Sequence, residues 1–479
     1  MAAHAKDLPT PAELTALLAG ITDPERRLAA VAAFFPDALN LATAENVLLY
    51  PSLKENVFDN LGVLGEKDVR YPGATYGTPQ LRSAVTEMLR PVFSRDLEPG
   101  DVFGTSGVSA ALECLAFALE EGGILRRGDR VLLPAPFWQG FKWCFEQRPG
   151  LVCAPVHLRE RGLENFELTL EDLKRAYRTQ PEPPKLLVLT NPHNPLGVNY
   201  DKDLLEAIHT WALTETGMHI ISDEMYAHSQ IEGADLPFVS ALDLDAYQDI
   251  EDARERVHVV WGFAKDFGLS GFKAGVVISR SPVVHAAMEG TASTETYAWF
   301  SPFDSLKHFV VGRLLTTPAP GRSYALALMD EYKKLLTGAF RQVRGALDEA
   351  GIPYVFREGQ NPAQFFWLDL RDHLPVSPVL LRPETGPHFP ADGQIPAQFT
   401  GEARKPGGVA LPVVFTDINT AEEWLRWYIA TEANVLLLPG QTLSCAAPGY
   451  FRLCYTAFET PAVVAAVQRI GAALAPLRR

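Results

Sequence analysis

Side chains that could do chemistry together follow three apolar runs of this 479-residue sequence. They provide an amide, a carboxylate, a phenol and an amine, and they are Asn194, Asp223, Tyr226 and Lys265. A lysine can form a Schiff base with an aldehyde, and an aspartate beside a ring nitrogen can keep that nitrogen protonated. An amide and a phenol can both hydrogen-bond a ring hydroxyl. These are the groups that pyridoxal phosphate needs, so the sequence predicts this cofactor.

The elements that must position these groups are predicted from short apolar runs that alternate with helical patterns. The candidate strands are Val131–Leu133, Leu186–Thr190, His219–Ser222, Val257–Trp261 and Ala274–Ser279. Strands that alternate with helices indicate βαβ units and a mostly parallel sheet, and ligands bind beyond the carboxyl ends of such strands. We therefore expect the four side chains to face one crevice.

Composition narrows the class of protein. Lysine and arginine number 43, aspartate and glutamate 58, and the net charge is −15, which argues against binding nucleic acid or anionic membrane. The hydrophobic share of 47% and charged share of 21% argue against disorder. No apolar run approaches the ~20 residues of a membrane helix, and the start lacks a signal core. The five cysteines lack zinc-site spacing. These features predict a cytoplasmic enzyme without a metal.

The ends of the chain and one proline-rich segment differ from the central pattern. Helix starts are predicted at Thr10 and Asp23, and a long helix is predicted over Tyr324–Glu349. Residues 374–412 contain eight prolines, which predict an insertion without regular structure. This insertion can be interpreted as a lid, as a loop on a dimer surface or as a surface excursion.

Taken together, the motifs from about Asn40 to Arg452 resemble the aspartate aminotransferase superfamily of fold-type I pyridoxal-phosphate enzymes. The resemblance implies an α/β fold with a large domain, whose mostly parallel sheet is flanked by helices, and a smaller α/β domain built from both termini. The expected parts are an N-terminal extension with part of the small domain, a large cofactor-binding domain, and a C-terminal small domain that carries the insertion. Their ranges are 1–65, 66–327 and 328–479.

The resemblance also assigns roles to individual residues. For the cofactor it implies a Schiff-base lysine, a partner of the ring nitrogen, two ligands of the ring oxygen and a stacked aromatic ring, which are Lys265, Asp223, Asn194, Tyr226 and Trp138. The phosphate is expected at the start of a helix and near a cation, at Val108, Ser109 and Lys273. Arg452 is implied to bind the substrate α-carboxylate as a bidentate pair, and Asn194 is a further implied substrate-binding residue. Lys265, Asp223 and Tyr226 are the implied catalytic residues.

The sequence departs from the family pattern around the lysine. Gly262 and Ala264 stand where the family usually has serines, and Lys273 stands where it usually has arginine. A lysine still brings positive charge to a phosphate but lacks the planar fork of arginine. We therefore expect a weaker or differently built phosphate site, or extra space for a substrate near the phosphate.

The N-terminal motifs resemble one branch of the superfamily, the 1-aminocyclopropane-1-carboxylate synthases and their relatives. The segments that carry this resemblance are Leu39–Asn46, Tyr71–Gly77 and Trp424–Arg452. In that branch the substrate is S-adenosylmethionine, which implies that Glu45 lies near its sulfonium or α-amino group. The resemblance further implies a homodimer in which Tyr71 reaches the cofactor and substrate of the partner subunit.

Several activities are compatible with these motifs. We favour cleavage of the Cγ–S bond of S-adenosylmethionine with loss of methylthioadenosine, followed by γ-replacement and ring formation, for which a nicotinamide nucleotide is one acceptor. The alternatives are a class I/II aminotransferase of another amino acid and 1-aminocyclopropane-1-carboxylate synthase itself. An aminotransferase-like transcription regulator is disfavoured, because the family motifs begin near residue 40 and leave no room for a preceding DNA-binding domain.

Overall fold

The computed structural model describes residues 33, 35–70, 73–157, 166–290, 301–374, 399–404, 410–415 and 418–477. Its strands are β1 Leu39–Asn40, β2 Val102–Thr105, β3 Arg130–Ala135, β4 Val152–His157, β5 Leu186–Thr190, β6 His219–Asp223, β7 Val257–Gly262, β8 Gly275–Ile278, β9 Pro318–Ala319, β10 Arg322–Ser323, β11 Tyr354–Val355, β12 Phe365–Asp369, β13 Phe399–Arg404, β14 Ala410–Phe415, β15 Val435–Leu436, β16 Leu438–Pro439 and β17 Tyr450–Cys454. The longer helices are α1 Tyr50–Asn56, α2 Pro79–Leu89, α3 Val108–Glu121, α4 Leu170–Thr179, α5 Lys202–Thr214, α6 Pro282–Glu289, α7 Ser305–Thr316, α8 Tyr324–Ala350, α9 Ile418–Ala433 and α10 Thr460–Leu474. Shorter helical segments cover Gly140–Lys142, Trp143–Gln147, Asp245–Asp249 and Ala253–Arg256.

Seven strands form the large sheet in the order β2-β8-β7-β6-β5-β3-β4. Only β8 runs antiparallel to its neighbours in this sheet. The prediction of a mostly parallel sheet is therefore confirmed, and all five candidate strands belong to it. The two strands that the sequence did not predict, β2 and β4, are its edges, and β4 contains Pro155. Pro155 interrupts the strand pattern in the sequence, but it does not prevent β4 from pairing, because proline is tolerated in an edge strand.

Helices cover both faces of the large sheet, as its fully buried central strands require. Alternate side chains of β5 enter different hydrophobic clusters: Leu187 and Leu189 pack in one, and Leu186 and Val188 in the other. The second cluster contains the buried side of α3, with Leu112 and other apolar residues. The sheet is consequently a rigid central layer that fixes where each strand ends.

The register of the sheet aligns the strand ends that precede the predicted site. Thr190, the last residue of β5, pairs with Asp223, the last residue of β6. Asp223 pairs in turn with Val260 of β7. Because these strands are parallel, the segments that follow them leave the sheet at the same edge.

The two ends of the described chain meet beside the large sheet. Strand β1 pairs in parallel with β15, with Leu39 opposite Val435. Strands β11, β12, β17 and β16 form an antiparallel sheet in that order. Helix α8 connects the two regions and ends at Gly351, whose φ of +61° suits a glycine. Its span agrees with the predicted long helix to within one residue. The three domain ranges stay a prediction.

The proline-rich insertion is not entirely irregular, and here the sequence interpretation was wrong. Strands β13 and β14 form an antiparallel hairpin with Phe399 opposite Phe415. The first strand contains no proline, and the second contains Pro412, which a two-stranded hairpin accommodates because each strand has an unpaired edge. Most of the insertion, the predicted helix starts at Thr10 and Asp23, and Tyr71 lie outside the described residues.

Within the described chain, one stretch, Thr460–Leu477, is long and apolar enough to cross a membrane by length and composition. It comprises α10, which packs against α8 and α9. The side chains of Val463, Val467 and Ile470 are fully buried in the protein core. Packing inside the fold thus accounts for the apolar character of this helix.

Candidate active site

Lys265 follows β7 and is contacted from two distant parts of the chain. Its Nζ donates a hydrogen bond to the carbonyl oxygen of Ala44. Its own carbonyl oxygen accepts hydrogen bonds from Asn46 Nδ2 at 2.8 Å and from Gln364 Nε2 at 3.0 Å. Burial lowers the pKa of Lys265 to about 8, although the nearby Glu45 carboxylate acts in the opposite direction. An amine with this pKa is partly neutral near pH 8, as a nucleophile or base must be.

Asp223 is a buried carboxylate at the end of β6, and its side chain has little compensation within the described protein. The backbone N–H of Met225 donates to Oδ1 at 3.3 Å. Burial raises the pKa of Asp223 to about 7. A carboxylate that is removed from water in this way is stabilised by a cation, and a protonated ring nitrogen would supply one.

Arg452 connects the C-terminal sheet with the loop after β5. It lies on β17, paired with Trp367 of β12. Its Nη1 donates to Asn194 Oδ1 at 2.7 Å, and its Nη2 donates to the Ala42 carbonyl oxygen at 2.6 Å. Its guanidinium carbon lies 4.6 Å from the centre of the Phe365 ring. The structure therefore brings two of the predicted substrate-binding residues, Asn194 and Arg452, into direct contact.

Tyr226 and Glu45 each interact electrostatically with a different charged side chain, Tyr226 with Arg452 and Glu45 with Lys265. Burial raises the pKa of Tyr226 well above its usual value, and the positive charge of Arg452 opposes that shift. Glu45 is half-buried, and its backbone carbonyl oxygen accepts a hydrogen bond from Thr456 Oγ1 at 2.6 Å. The Glu45 carboxylate raises the pKa of Lys265, so its negative charge acts on the amine.

The expected phosphate end is built differently from the rest of the site. Helix α3 begins at Val108 after Gly107, whose φ is +89°, and no side chain caps its first turn. Free N–H groups at a helix start can bind a phosphate. Lys273 is exposed with a φ of +53°, and a Cβ added at Gly107 would lie 3.5 Å from its Cα. Ser109 is also exposed.

Trp138 is half-buried and lies over Gly140, where any added Cβ would collide with the indole ring. Phe141 and Trp143 contact it edge-on, with ring centres 5.5 and 5.9 Å from its own. The glycine thus permits the position that Trp138 adopts. Its predicted stacking on a bound cofactor ring stays a prediction.

Comparison with known proteins identifies the family. The family model for aminotransferases of class I and II matches residues 39–470. The chain belongs to this family. It is 26% identical over 410 residues to a 1-aminocyclopropane-1-carboxylate synthase of Cucurbita maxima, an alignment that spans 84% of this chain and 73% of that protein. It is 33% identical over 289 residues to a probable aminotransferase of Aspergillus oryzae, which spans 58% of this chain and 65% of that protein.

The fold is also that of a solved member of this aminotransferase family. The aspartate aminotransferase of Thermus thermophilus, solved with maleate, matches with a TM-score of 0.63 and 22% identity, over 93% of this chain and 96% of that one. The predicted aspartate aminotransferase-like fold is confirmed. The chain is accordingly a pyridoxal-phosphate-dependent enzyme, close to the 1-aminocyclopropane-1-carboxylate synthase branch.

The donor set in the structure fits pyridoxal phosphate. A buried amine, Lys265, suits the aldehyde, and the buried Asp223 carboxylate suits the ring nitrogen. At the phosphate end, the chain approaches so closely that a Cβ at Gly275 would lie 2.8 Å from the backbone nitrogen of Val108. This glycine keeps the helix start and β8 together around the position where a phosphate can bind.

Sequence reasoning missed the residues that support this site. Asn46 and Gln364 hold the lysine backbone, and Phe365 lies against the Arg452 guanidinium. The carboxylate of Asp266 is held by Trp261 Nε1 at 2.9 Å and by other donors. Asn46 is the last residue of the segment Leu39–Asn46 that carries the family resemblance, and Asp266 directly follows Lys265, so both had a signal in the sequence. Gln364 and Phe365 had none, because their partners lie far away in the sequence.

Proposed function

We propose that this enzyme acts on the amino acid portion of S-adenosylmethionine, cleaves its Cγ–S bond with release of methylthioadenosine, and joins a nucleophile at Cγ. The supporting observation is the charge arrangement around the amine. The Glu45 carboxylate and the Arg452 guanidinium both act on the Lys265 amine, with opposite effects on its pKa, and Arg452 also contacts Asn194. A substrate with a carboxylate at one end and a sulfonium cation nearby is complementary to this arrangement.

The side chains have separable tasks in this reaction. Arg452 binds the α-carboxylate and thereby orients the substrate Cα–H bond. Lys265, with its pKa lowered by burial to about 8, accepts the Cα proton as the general base. Asp223 holds the proton on the cofactor ring nitrogen, and Glu45 stabilises the substrate cation. These roles follow from the geometry together with the family resemblance.

Pyridoxal phosphate, when bound, supplies a ring that withdraws electrons from the substrate Cα. Loss of a Cβ proton supplies the electrons for a Cβ–Cγ double bond as methylthioadenosine leaves with the electron pair of the Cγ–S bond, and Cγ is then open to attack. Attack by an added nucleophile gives γ-replacement, and a second bond to the same acceptor closes a ring. A nicotinamide nucleotide is one acceptor that we propose to test. Attack by the substrate's own Cα would instead give 1-aminocyclopropane-1-carboxylate.

A second candidate function is transamination of another amino acid. The observation that favours it is the 33% identity to the probable aminotransferase of Aspergillus oryzae. In that reaction Lys265 would move the proton from Cα to the cofactor, and no group would leave from Cγ. Glu45 would then face the side chain of an ordinary substrate, without a sulfonium to stabilise.

The deciding experiment is incubation of the purified enzyme with S-adenosylmethionine and candidate acceptors, followed by mass spectrometry. Methylthioadenosine together with an acceptor conjugate is the expected result. Methylthioadenosine with 1-aminocyclopropane-1-carboxylate would show cyclisation instead. A keto acid formed from other amino acids, with no methylthioadenosine under any condition, would contradict the proposal and support transamination.

The matched variant for this assay is Glu45→Gln, which removes charge and keeps the shape of the side chain. We expect the KM for S-adenosylmethionine to rise about tenfold, because one cation–carboxylate attraction is lost. Binding of methionine, which has no sulfonium, should change less. An equal change for both ligands would mean that Glu45 does not recognise the cation.

We also propose that the enzyme is a homodimer. Apolar side chains are exposed in one stretch after α1, where Val63 is 92% and Val69 74% exposed. Leu306 of α7 is 61% exposed, and the preceding residue, Ser305, donates to the Arg70 carbonyl oxygen next to Val69. Clustered exposed apolar groups indicate an interface. Light scattering should give a mass near 105 kDa, about twice the chain mass of 52.7 kDa, and Val63→Asp should reduce it.

A further inference from the structure

The segment Ala44–Asn46 contacts Lys265 at both ends of that residue. The Ala44 carbonyl oxygen accepts the hydrogen bond from Nζ. The Asn46 side-chain amide donates to the Lys265 carbonyl oxygen at 2.8 Å and to the Asp266 carbonyl oxygen at 3.2 Å. Glu45 lies between these two contacts. The segment Ala44–Asn46 therefore contacts both the backbone carbonyl oxygen and the side-chain amine of Lys265, which lies 219 positions after Asn46.

This segment is itself held in place on two sides. The backbone N–H of Leu48 donates to Asn46 Oδ1 at 3.1 Å, which fixes the orientation of the amide. On the other side, Thr456 Oγ1 donates to the Glu45 carbonyl oxygen. Gly268 has a φ of +70°, and any Cβ there would collide with the Asn46 carbonyl oxygen. Close backbone approach at this glycine brings the segment against the lysine loop.

The groups around the Lys265 amine push its protonation in opposite directions. Burial has the largest effect and lowers the pKa, and the positive charges of Arg452 and Lys273 lower it further. Glu45 and Cys454 raise it. The hydrogen bond from Nζ to a backbone carbonyl also favours the protonated amine. Movement of the segment would thus change the proton affinity of Lys265 without altering any group on the lysine loop.

We propose that Asn46 is a positioning residue that locks this segment against the lysine backbone, so that the Ala44 carbonyl and the Glu45 carboxylate stabilise a protonated Lys265 nitrogen. This proposal rests on the assignment of Lys265 as the cofactor lysine under the proposed function. It is independent of which substrate the enzyme uses. Under this proposal, the segment Ala44–Asn46 helps to set the pH range over which the Lys265 nitrogen can accept a proton.

Gln364 provides a matched control. It donates to the same Lys265 carbonyl oxygen at 3.0 Å, and it is as deeply buried as Asn46. Its other contacts, however, are with the hydroxyl of Tyr332 at 2.7 Å and that of Ser229 at 3.1 Å. Loss of its side chain removes these three hydrogen bonds but leaves the segment Ala44–Asn46 with its own contacts.

The test is a pH titration of the visible absorption band of the holoenzyme, whose midpoint reports protonation of the cofactor-bound Lys265 nitrogen. We expect Asn46→Ala to lower this midpoint by about half a pH unit or more, a threefold change or greater, because the stabilising carbonyl and carboxylate move away. Gln364→Ala should leave the midpoint where it is. Thermal unfolding of both variants measures their loss of stability separately.

Equal midpoints in Asn46→Ala and wild type, or equal shifts in Asn46→Ala and Gln364→Ala, would overturn the proposal. If Asn46→Ala does not fold, Asn46→Ser serves in its place, because its shorter side chain lacks the amide that donates to the lysine carbonyl, and the same shift is expected. A wild-type holoenzyme without a visible band would refute the lysine assignment itself. The presence of the band thus tests whether Lys265 bonds the cofactor, and the midpoint of its titration tests the role of Asn46.

Discussion

The proposed cofactor site has two ends that are built in contrasting ways. We call them the ring end, which contains Asp223 and Asn194, and the phosphate end, which contains Ser109 and Lys273. At the ring end, Asp223 and Asn194 are almost fully buried and follow central strands of the large sheet. At the phosphate end, Ser109 and Lys273 are exposed, and the family's serines are replaced by Gly262 and Ala264. We propose that the reaction takes place at the ring end, where a packed layer fixes the geometry that the reaction needs. We propose that the phosphate end only holds the cofactor in place, so different residues can supply the hydrogen-bond donors and the positive charge there.

Electrostatics reinforce this contrast. Burial shifts the pKa values of Asp223 and Lys265 toward neutrality, to about 7 and about 8. Such shifts are common where proton transfer takes place. Burial and pKa shifts together therefore mark the ring end as the reactive part of the site, and substitutions there should be the more damaging.

The largest effect is expected from Lys265→Ala. Loss of the general base and of the covalent link should reduce kcat by about 10³-fold or more. The visible band that borohydride bleaches should also disappear from the purified variant. Retention of that band without added amine would mean that another residue bonds the cofactor.

Asp223→Asn should come next, with a loss of about 10²–10³-fold in kcat, because a buried amide cannot stabilise a protonated ring nitrogen as a carboxylate does. Cofactor binding should weaken as well, which an equilibrium titration would detect. A variant with near wild-type kcat would contradict the role proposed for Asp223.

The same variant has a pH signature in the cofactor-free protein. Burial raises the pKa of Asp223 to about 7, whereas an unfolded aspartate has a pKa of about 3.9. The folded state therefore holds a proton that the unfolded state releases, and stability falls as pH rises from about 4 to 7. Asp223→Asn should lose less stability than wild type over this range. Denaturant unfolding at pH 5 and pH 8 measures the difference.

At the phosphate end, restoring the family serines should give unequal results. A Cβ at Gly262 would lie 2.8 Å from the Ala274 carbonyl oxygen and 3.2 Å from Val108 Cγ2. Gly262→Ser should therefore cost about 1–3 kcal/mol of stability through overpacking. Ala264→Ser adds only a hydroxyl to an existing side chain and should be nearly neutral. Equal melting temperatures of the two variants would show that the backbone at Gly262 adapts.

The ring end was the more predictable part from sequence, for a physical reason. Its residues lie at or after the ends of β5, β6 and β7, which contain short apolar runs, and parallel strands bring their carboxyl ends to one edge. The local pattern of strands therefore predicted that side chains distant in the sequence lie at the same edge of the sheet. The structure also brings Asn194 and Arg452, two residues with implied substrate roles, into direct contact.

The supporting contacts were not predictable in this way. Asn46 and Gln364 reach a backbone carbonyl, which any residue type at position 265 would present. Such a hydrogen bond leaves no periodicity, spacing or partner type in the sequence. The hairpin of β13 and β14 was missed for the opposite reason. The prolines of the insertion strongly predicted irregular structure, but proline is tolerated in a strand that has an unpaired edge.

The smallest effect is expected from Lys273→Arg, which restores the family's cation at the phosphate end. The planar guanidinium can bind a phosphate through two hydrogen bonds, so the dissociation constant of the cofactor should fall about three- to tenfold with little change in kcat. Lys334→Arg, at an exposed position of α8, is the matched control and should change neither quantity. Unchanged retention of the cofactor in Lys273→Arg would place the phosphate away from residue 273. The helix start at Val108 would then be its main anchor.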